Sequence, residues 1–572
     1  MEWHQQIRTE LTSLYGAVQG AVAADHVFAL MERHASGNRR ERRPFSERDI
    51  ILISYGDALH SKSSKPLAVL KAFADRYLRD CFSAIHILPF FPFSSDDGFS
   101  VTDFLAVNTA LGDWKDVEKL GDGFDLMFDF VLNHISAGSD WFRRYLSAEA
   151  GFRDLAIEVA LETDLDRVVR PRTLPLLTPF TKTSGEAVWL WTTFSPDQID
   201  LNYASIEVLL KMLDVLLAYV QRGARLLRLD AVAYLWKEIG TTCIHLPQTH
   251  AFIRLLRCIL DQLAPEVMIV TETNVPHAEN ISYFGDGENE AQMVYNFTLP
   301  PLLMHAMLTA DTSALSRWVQ TLCTPSGKTA FFNFTASHDG IGMRPLEGIL
   351  SRAEIERLMQ AAVERGGQIS FGQDRSGKTI PYELNITYVD AVRAVESGND
   401  PMNAQRFLAS QAVALALPGI PGVYLYGLLG SRNWPEGVRT TGRARTINRR
   451  TLSMAAITRA LEREHHFRSI IFRGYCHLLR MRRIQPAFHP HAESTVMDLD
   501  RRVFAIRRNS SQQTLYALTN LSPHVTVLRL ADHAVPPTMR DVLSRRLFET
   551  HAVPLQPYQT LWLTAPTTAL IE

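Results

Sequence analysis

Cysteine is scarce in this chain: five in 572 residues (Cys81, Cys243, Cys258, Cys323 and Cys476), none of them in a CxxC pair. An odd number without metal-ligand spacing argues against a disulfide framework and against a zinc site, and reduced thiols packed in a core are the expectation. Excess charge of either sign is also missing. Lysine and arginine total 59 against 61 aspartates and glutamates, a net charge of −2, so there is no electrostatic case for nucleic acid or an anionic membrane as a partner. Long unbroken apolar runs are missing too. The most apolar stretch, QAVALALPGIPGVYLYGLLG (411–430), is interrupted by Pro418 and Pro421, and the opening MEWHQQIRTE has no basic segment leading into an apolar one. The expectation is a soluble, cytoplasmic protein with no membrane association. A composition of 46% hydrophobic and 21% charged residues suffices for a large core with smaller domains appended.

Eight short apolar segments have the character of buried strands: 49–57, 84–92, 124–134, 225–232, 266–273, 293–298, 329–339 and 422–427. Helical periodicity fills the spaces between them, most clearly in 205–223 and 249–264, each of which runs directly into a strand. Eight strands alternating with helices predict an α/β fold, a (β/α)8 TIM barrel, with a doubly wound open sheet as the alternative. The domain reading is a helical extension (1–48), a first barrel part (49–134), an inserted subdomain (135–204), a second barrel part (205–339), a second insertion or lid (340–400), the barrel end with following helices (401–489) and a C-terminal antiparallel β-domain (490–572). Both insertions follow the carboxyl end of a strand, the face on which barrel enzymes build their sites.

Polar residues gather at those carboxyl ends. Asp57, Asp129 with Asn133 and His134, Arg228 with Asp230, Glu272, and His338 with Asp339 all end apolar segments. Arg228 and Asp230 share one face of their strand, since side chains alternate, and stand roughly 6 to 7 Å apart along the chain. Taken singly, each reads as a cap, a turn former or one half of a structural ion pair. In a closed barrel they converge on one mouth, where Asp230, Glu272 and Asp339 present three carboxylates to one pocket. Two opposed carboxylates are what glycosidic bond chemistry requires, one ionised to attack the anomeric carbon and one protonated to release the leaving oxygen. Arg228 favours the charged form of Asp230, the better nucleophile, and Glu272 at the end of an apolar strand suits the acid.

At these residues the sequence resembles the α-amylase superfamily, glycoside hydrolase family thirteen, and within it the sucrose phosphorylase subfamily. DFVLNH (129–134), RLLRLDAVAYLWKE (225–238), VTET (270–273) and FTASHD (334–339) match the family's four short regions in order. The resemblance implies a retaining double displacement with Asp230 as nucleophile, Glu272 as general acid/base and Asp339 stabilising the transition state. It assigns Arg228, His134 and His338 to supporting the nucleophile and holding a glucose ring. SSDDGFS (94–100) matches the subfamily's glucose-binding loop, with Asp96 on sugar hydroxyls and Phe99 as an apolar platform. Phosphate is the implied second acceptor, a co-substrate, with no cofactor and no metal. Its site would use Arg172 in RPRTLPLLTPF and Tyr382 in IPYELN, with Gln198 on the same side and Arg449 of RTINRR reaching the sugar. One departure stands out: Asp97 replaces the subfamily's arginine, a charge reversal that disfavours sucrose. With the long N-terminal segment and CIHLPQTH (243–250) it looks more like the glucosylglycerate phosphorylases, for which Arg172, Arg375 and Lys378 are candidate cations for an anionic acceptor. Sucrose phosphorylase, sucrose 6'-phosphate phosphorylase and a related hydrolase or transglucosidase are the alternatives. The family's non-catalytic heavy chains are another, disfavoured because the carboxylates are present. The implied partners are a small α-glucoside and phosphate and, by analogy, a second copy in a homodimer.

Overall fold

The computed structural model describes residues 2–35, 41–373, 378–395 and 401–566. Eight parallel strands close into a barrel: β1 (Ile51–Ser54), β2 (Ala84–Ile87), β3 (Asp125–Phe130), β4 (Ala224–Leu229), β5 (Met268–Thr271), β6 (Met293–Tyr295), β7 (Ala330–Phe334) and β8 (Ile420–Tyr424). Each pairs with its neighbours in sequence and β1 pairs with β8, so the sheet has no edge and the open-sheet alternative falls. Every predicted strand segment supplies one of the eight. The helices Ile206–Gln221 and Pro247–Leu263 precede β4 and β5 and bury the apolar stripes that their periodicity shows.

Register decides what meets at the mouth. Asp129 of β3 and Val270 of β5 both stand opposite Arg228 of β4. Parallel strands in register carry opposed residues on the same face, so the Arg228 guanidinium and the Asp129 carboxylate are brought together by backbone pairing alone. The pattern continues past the strand ends, where Asp230 N–H donates to the Phe130 carbonyl and Glu272 N–H to that of Leu229, both at 3.2 Å.

Two insertions rise over this end. The first carries the helix Asp140–Leu146 and a hairpin of Leu177–Thr181 with Ala187–Trp191, and is tied back where His134–Ser136 pairs with Gln198–Asp200. The second carries the helix Arg352–Glu364 and a three-stranded sheet of Ile341–Gly342, Thr379–Asn385 and Gln368–Gln373. Beyond the barrel, the helices Met454–Glu462 and Phe467–Arg482 lead to a six-stranded antiparallel sheet over 493–564.

The N-terminal helix Glu2–His34, kinked at Gly16 (φ 77°), is long and apolar enough to cross a membrane by length and composition, a property the sequence reading did not pick out. Its apolar residues Ile7, Leu11, Val27, Leu30 and Met31 are buried, and it packs on Ile206–Gln221 and Pro247–Leu263. Four of the five cysteines are buried free thiols, as expected; Cys323 is exposed.

The buried Arg482 has no carboxylate in contact. It donates instead to the carbonyls of Glu47 (2.6 Å), Leu415 (3.0 Å), Gly419 (3.2 Å) and Phe488 (3.2 Å), joining the approaches to β1 and β8 to the segment that enters the C-terminal domain. Burial pulls its pKa down to about 10. Arg482→Met would strip three buried carbonyls and a part-buried one of this donor, and a loss on the order of 3 kcal/mol is expected. The measurement is the denaturant midpoint at constant slope; an unchanged midpoint would contradict the role of this residue as a junction.

Candidate active site

The strand ends His134, Arg228, Asp230, Glu272, His338 and Asp339 line a pocket with about 620 Å³ of free space, part of it open to solvent, whereas Asp57 lines a neighbouring cavity. At its base lies Arg228, 1% exposed. One guanidinium nitrogen, Nη1, bonds both Asp129 and Asp230 Oδ1, the latter at 2.7 Å; Nη2 lies 3.8 Å from Glu272 Oε2 and 4.0 Å from Asp339 Oδ2. Burial opposes the charge on Arg228, but the surrounding carboxylates outweigh it and hold the proton more firmly than usual. Asp129 is completed on its far side by His86 Nε2 at 2.7 Å. Burial would raise Asp129, but Arg228 and His86 prevail and keep it below its ordinary value.

The three carboxylates facing the pocket are held in different states. Burial lifts Glu272 to about 8, opposed by Arg228 and aided by the charges of Asp230 and Asp339. Burial also lifts Asp230, to about 7, against the pull of Arg228. Asp230 has the direct bond to Arg228, whereas Glu272 accepts one backbone N–H, from Ala231 at 3.0 Å. The direct bond favours the charge on Asp230 and its absence favours the proton on Glu272. Ala231 offers that N–H from a left-handed backbone (φ 49°), a strained conformation for alanine located between the two carboxylates. Asp339 is held well below the carboxylate range: burial raises it, but Arg445 foremost, with Arg228 and Arg449, overcomes that. Arg445 Nη1 stands 2.6 Å from Asp339 Oδ1.

Another wall of the pocket is built from rings and amides. Phe99 stacks on His338 with centroids 4.7 Å apart and planes 6° from parallel, and the Arg228 guanidinium lies 5.5 Å from the Phe99 centroid. Burial keeps His338 neutral, well below its ordinary value. His134 Nε2 donates to the Phe99 carbonyl at 2.9 Å, and Gln198 Nε2 reaches Asp96 Oδ2 at 3.3 Å. The loop that carries Asp96 and Phe99 turns at Gly98 (φ 112°), where a Cβ would fall 2.7 Å from the Pro89 carbonyl oxygen, so glycine is required there. At the outer end Arg172, from the first insertion, lies 5.8 Å from the ring of Tyr382 in the second.

Eleven of the twelve residues expected from sequence line this pocket: Asp96, Phe99, His134, Arg172, Gln198, Arg228, Asp230, Glu272, His338, Asp339 and Tyr382. Arg449 is the exception. Its Nη1 is bonded by Asp97 at 2.5 Å, its Nε by the His338 carbonyl at 2.9 Å, and it lines a neighbouring cavity with Tyr55 and Trp434. The arginine of that segment that enters the site is Arg445, four residues earlier. Arg445, Glu383, Tyr234 and Asn274 went unrecognised in the sequence, although the first two stand in the quoted motifs RTINRR and IPYELN. Asp97 lies outside the pocket, neutralised by Arg443 (3.1 Å) and Arg449. Arg375 falls outside the described residues; Lys378 is exposed and does not line the pocket.

Comparison with known proteins agrees with this geometry. The family described as alpha amylase, catalytic domain, matches residues 76–340. A glucosylglycerate phosphorylase from Escherichia coli (strain K12) is 44% identical over 98% of this chain and 100% of its own length. The chain belongs to the α-amylase family. Another relative within it, a glucosylglycerate phosphorylase from Spirochaeta thermophila, is 45% identical over 99% of both chains. A sucrose phosphorylase from Agrobacterium vitis is more distant, at 31% over 78% of this chain and 90% of its own. Among solved structures, the sucrose 6F-phosphate phosphorylase from Thermoanaerobacter thermosaccharolyticum superposes with a TM-score of 0.73 at 25% identity, covering 84% of this chain and 96% of that one.

The raised Glu272 has a consequence for stability. Its value in the folded chain, about 8, exceeds the ordinary 4.5, so the native state binds this proton more tightly than the unfolded chain does. That contribution is complete below about pH 4.5 and is lost as pH rises towards 8. Glu272→Gln removes the loss. Its melting temperature relative to the unaltered protein is expected to climb between pH 5 and pH 8; a difference independent of pH would contradict a protonated Glu272.

Proposed function

We propose that this member of the α-amylase family is a retaining α-glucoside phosphorylase that interconverts 2-O-α-glucosylglycerate and phosphate with α-glucose 1-phosphate and glycerate. The observation that carries the chemistry is the asymmetry of the two carboxylates around Arg228: Asp230 takes a direct hydrogen bond that favours its charged form, whereas Glu272, 3.8 Å away and raised to about 8, favours the proton. In the first step an Asp230 oxygen forms a bond to the anomeric carbon as the bond from that carbon to the glycerate oxygen breaks. Glu272 gives its proton to the departing oxygen. In the second step a phosphate oxygen forms the new bond to the anomeric carbon, Glu272 recovers a proton from the phosphate, and Asp230 is released. Two inversions at one carbon restore its configuration. Asp339, kept ionised by Arg445, stands where positive charge develops on the ring.

Both acceptors in this scheme are anionic, and the cation Arg172 in the pocket lining supports that. Arg344, behind the lining, is largely buried and interacts electrostatically with Tyr234 and Tyr382, both of which line the pocket. Guanidinium groups suit phosphate and carboxylate alike. The names of the two relatives at 44% and 45% identity support glycerate as the acceptor. The mechanism uses phosphate as co-substrate and calls on no cofactor or metal; among the described residues no group of three or more His, Cys, Asp or Glu side chains could hold a metal ion. A cytoplasmic setting with small-molecule partners fits a reaction between metabolites, and a homodimer is carried by analogy within the family.

The test supplies α-glucose 1-phosphate with glycerate, fructose, fructose 6-phosphate, glycerol or water in separate reactions and follows phosphate release. Glycerate should give the fastest release. A preference for fructose or its phosphate would replace this reading with a sucrose or sucrose phosphate phosphorylase, and equal release into water would make the protein a hydrolase. Arg172→Gln is expected to raise the KM for phosphate and for glycerate by about tenfold or more, the loss of a charge-assisted contact; unchanged KM values would place the anion site elsewhere.

A further inference from the structure

The lid strand Thr379–Asn385 contributes two adjacent residues to the pocket, Tyr382 and Glu383, which strand alternation sends to opposite faces. Tyr382 meets Arg172 at the outer end. Glu383, 2% exposed, turns to Arg445 and accepts from Nε at 3.0 Å and Nη2 at 2.5 Å. The third nitrogen of that guanidinium is the one 2.6 Å from Asp339. Arg445 thus bridges a lid carboxylate and a carboxylate of the barrel mouth.

Each end of this bridge is immobilised. Glu383 stands in register with Gly342, only three residues beyond Asp339, and a Cβ at Gly340 would meet the Glu383 Cβ at 2.9 Å. The turn Ala444–Asn448 that carries Arg445 is tied to the same place, for Asn448 Nδ2 donates to the carbonyls of Ser337 and Asp339, both at 3.1 Å. An arginine reaching into a pocket alone would have many rotamers open to it, and a two-pronged carboxylate on its outer edge removes that freedom. Arg445 also cancels a second buried negative charge in a pocket that has to admit phosphate.

We propose that Glu383 is a positioning residue for glucosyl transfer: by clamping Arg445 it fixes Asp339, so that the lid strand that meets the acceptor also sets the sugar side of the site. This rests on the glucosyl-transfer chemistry assigned above. Glu383 touches no reacting atom in this scheme and acts through Arg445.

The test is a double-mutant cycle of Glu383→Gln, Arg445→Gln and the two combined, with fluoride release from α-D-glucosyl fluoride in the presence of phosphate as the readout. Glu383→Gln is expected to lower kcat by about tenfold or more while the KM for phosphate moves by less than about threefold. The combined variant should match Arg445→Gln within about twofold, because the second change removes nothing further. It should also melt above Arg445→Gln, which leaves the Glu383 charge buried without a partner. Losses that multiply in the combined variant, an effect confined to the KM for phosphate, or a folded Glu383→Gln with unchanged kcat would each overturn the proposal. Should Glu383→Gln fail to fold, Glu383→Asp, which keeps the charge but shortens the reach, is put through the same cycle against the same outcomes. Fluoride release without formation of α-glucose 1-phosphate would defeat the phosphorylase reading while leaving the cycle to decide the role of Glu383; absence of fluoride release from the unaltered protein would overturn both.

Discussion

A guanidinium buried at the mouth of a parallel barrel, with four carboxylates around it, is the constraint on which this site depends. Arg228 cannot be there without Asp129 and Asp230, and they cannot be there without it: an unpaired charge at that depth costs several kcal/mol. The same cation separates the roles of the two carboxylates that face the sugar. It bonds Asp230 directly and reaches Glu272 only at 3.8 Å, so although burial raises both, only Asp230 has a direct bond that favours its charged form. Electrostatics and reactivity are here the same arrangement of atoms.

The barrel supplies the geometry for this at little cost in sequence. Parallel register sets Arg228 opposite Asp129, and the continuation of the β3–β4 and β4–β5 pairing beyond the strands carries Asp230 and Glu272 to one level. The remaining parts of the site come from outside the barrel. One insertion brings Arg172, the other Tyr382 and Glu383, and the turn after β8 brings Arg445. The three carboxylates are thus lodged in the barrel wall, and the rest of the lining in segments that pack over it. The charge reversal at Asp97 belongs to this outer layer. It does not line the pocket; it ties the loop 94–100 to the segment 443–449.

Much of this was legible in the chain itself. Strand character, the alternation with helices and the polar residues at strand ends are local properties, carried by runs of a few residues, and they led to the eight strands and the three carboxylates. So was the pairing of Arg228 with Asp230, which alternation along one strand dictates. The helix Glu2–His34 was recognised as helical, but its surface was not: an apolar stripe carries no mark of whether barrel or membrane covers it, and the helices Ile206–Gln221 and Pro247–Leu263 supply that answer.

Arg445 and Arg449 show where sequence ends and tertiary structure begins. Four residues apart in RTINRR, they have the same side chain and the same local surroundings, and nothing along the chain says which one enters the site. Asp97, more than three hundred residues away, draws Arg449 aside, and Glu383 holds Arg445 in place. The sequence by itself determined the barrel, the carboxylates at its mouth and their cation, because those depend on periodicity and on neighbours along or directly across strands. Which arginine stands on Asp339, and what the lid does to it, was decided only by folding, because a guanidinium takes the position of whichever carboxylates the distant segments bring within reach.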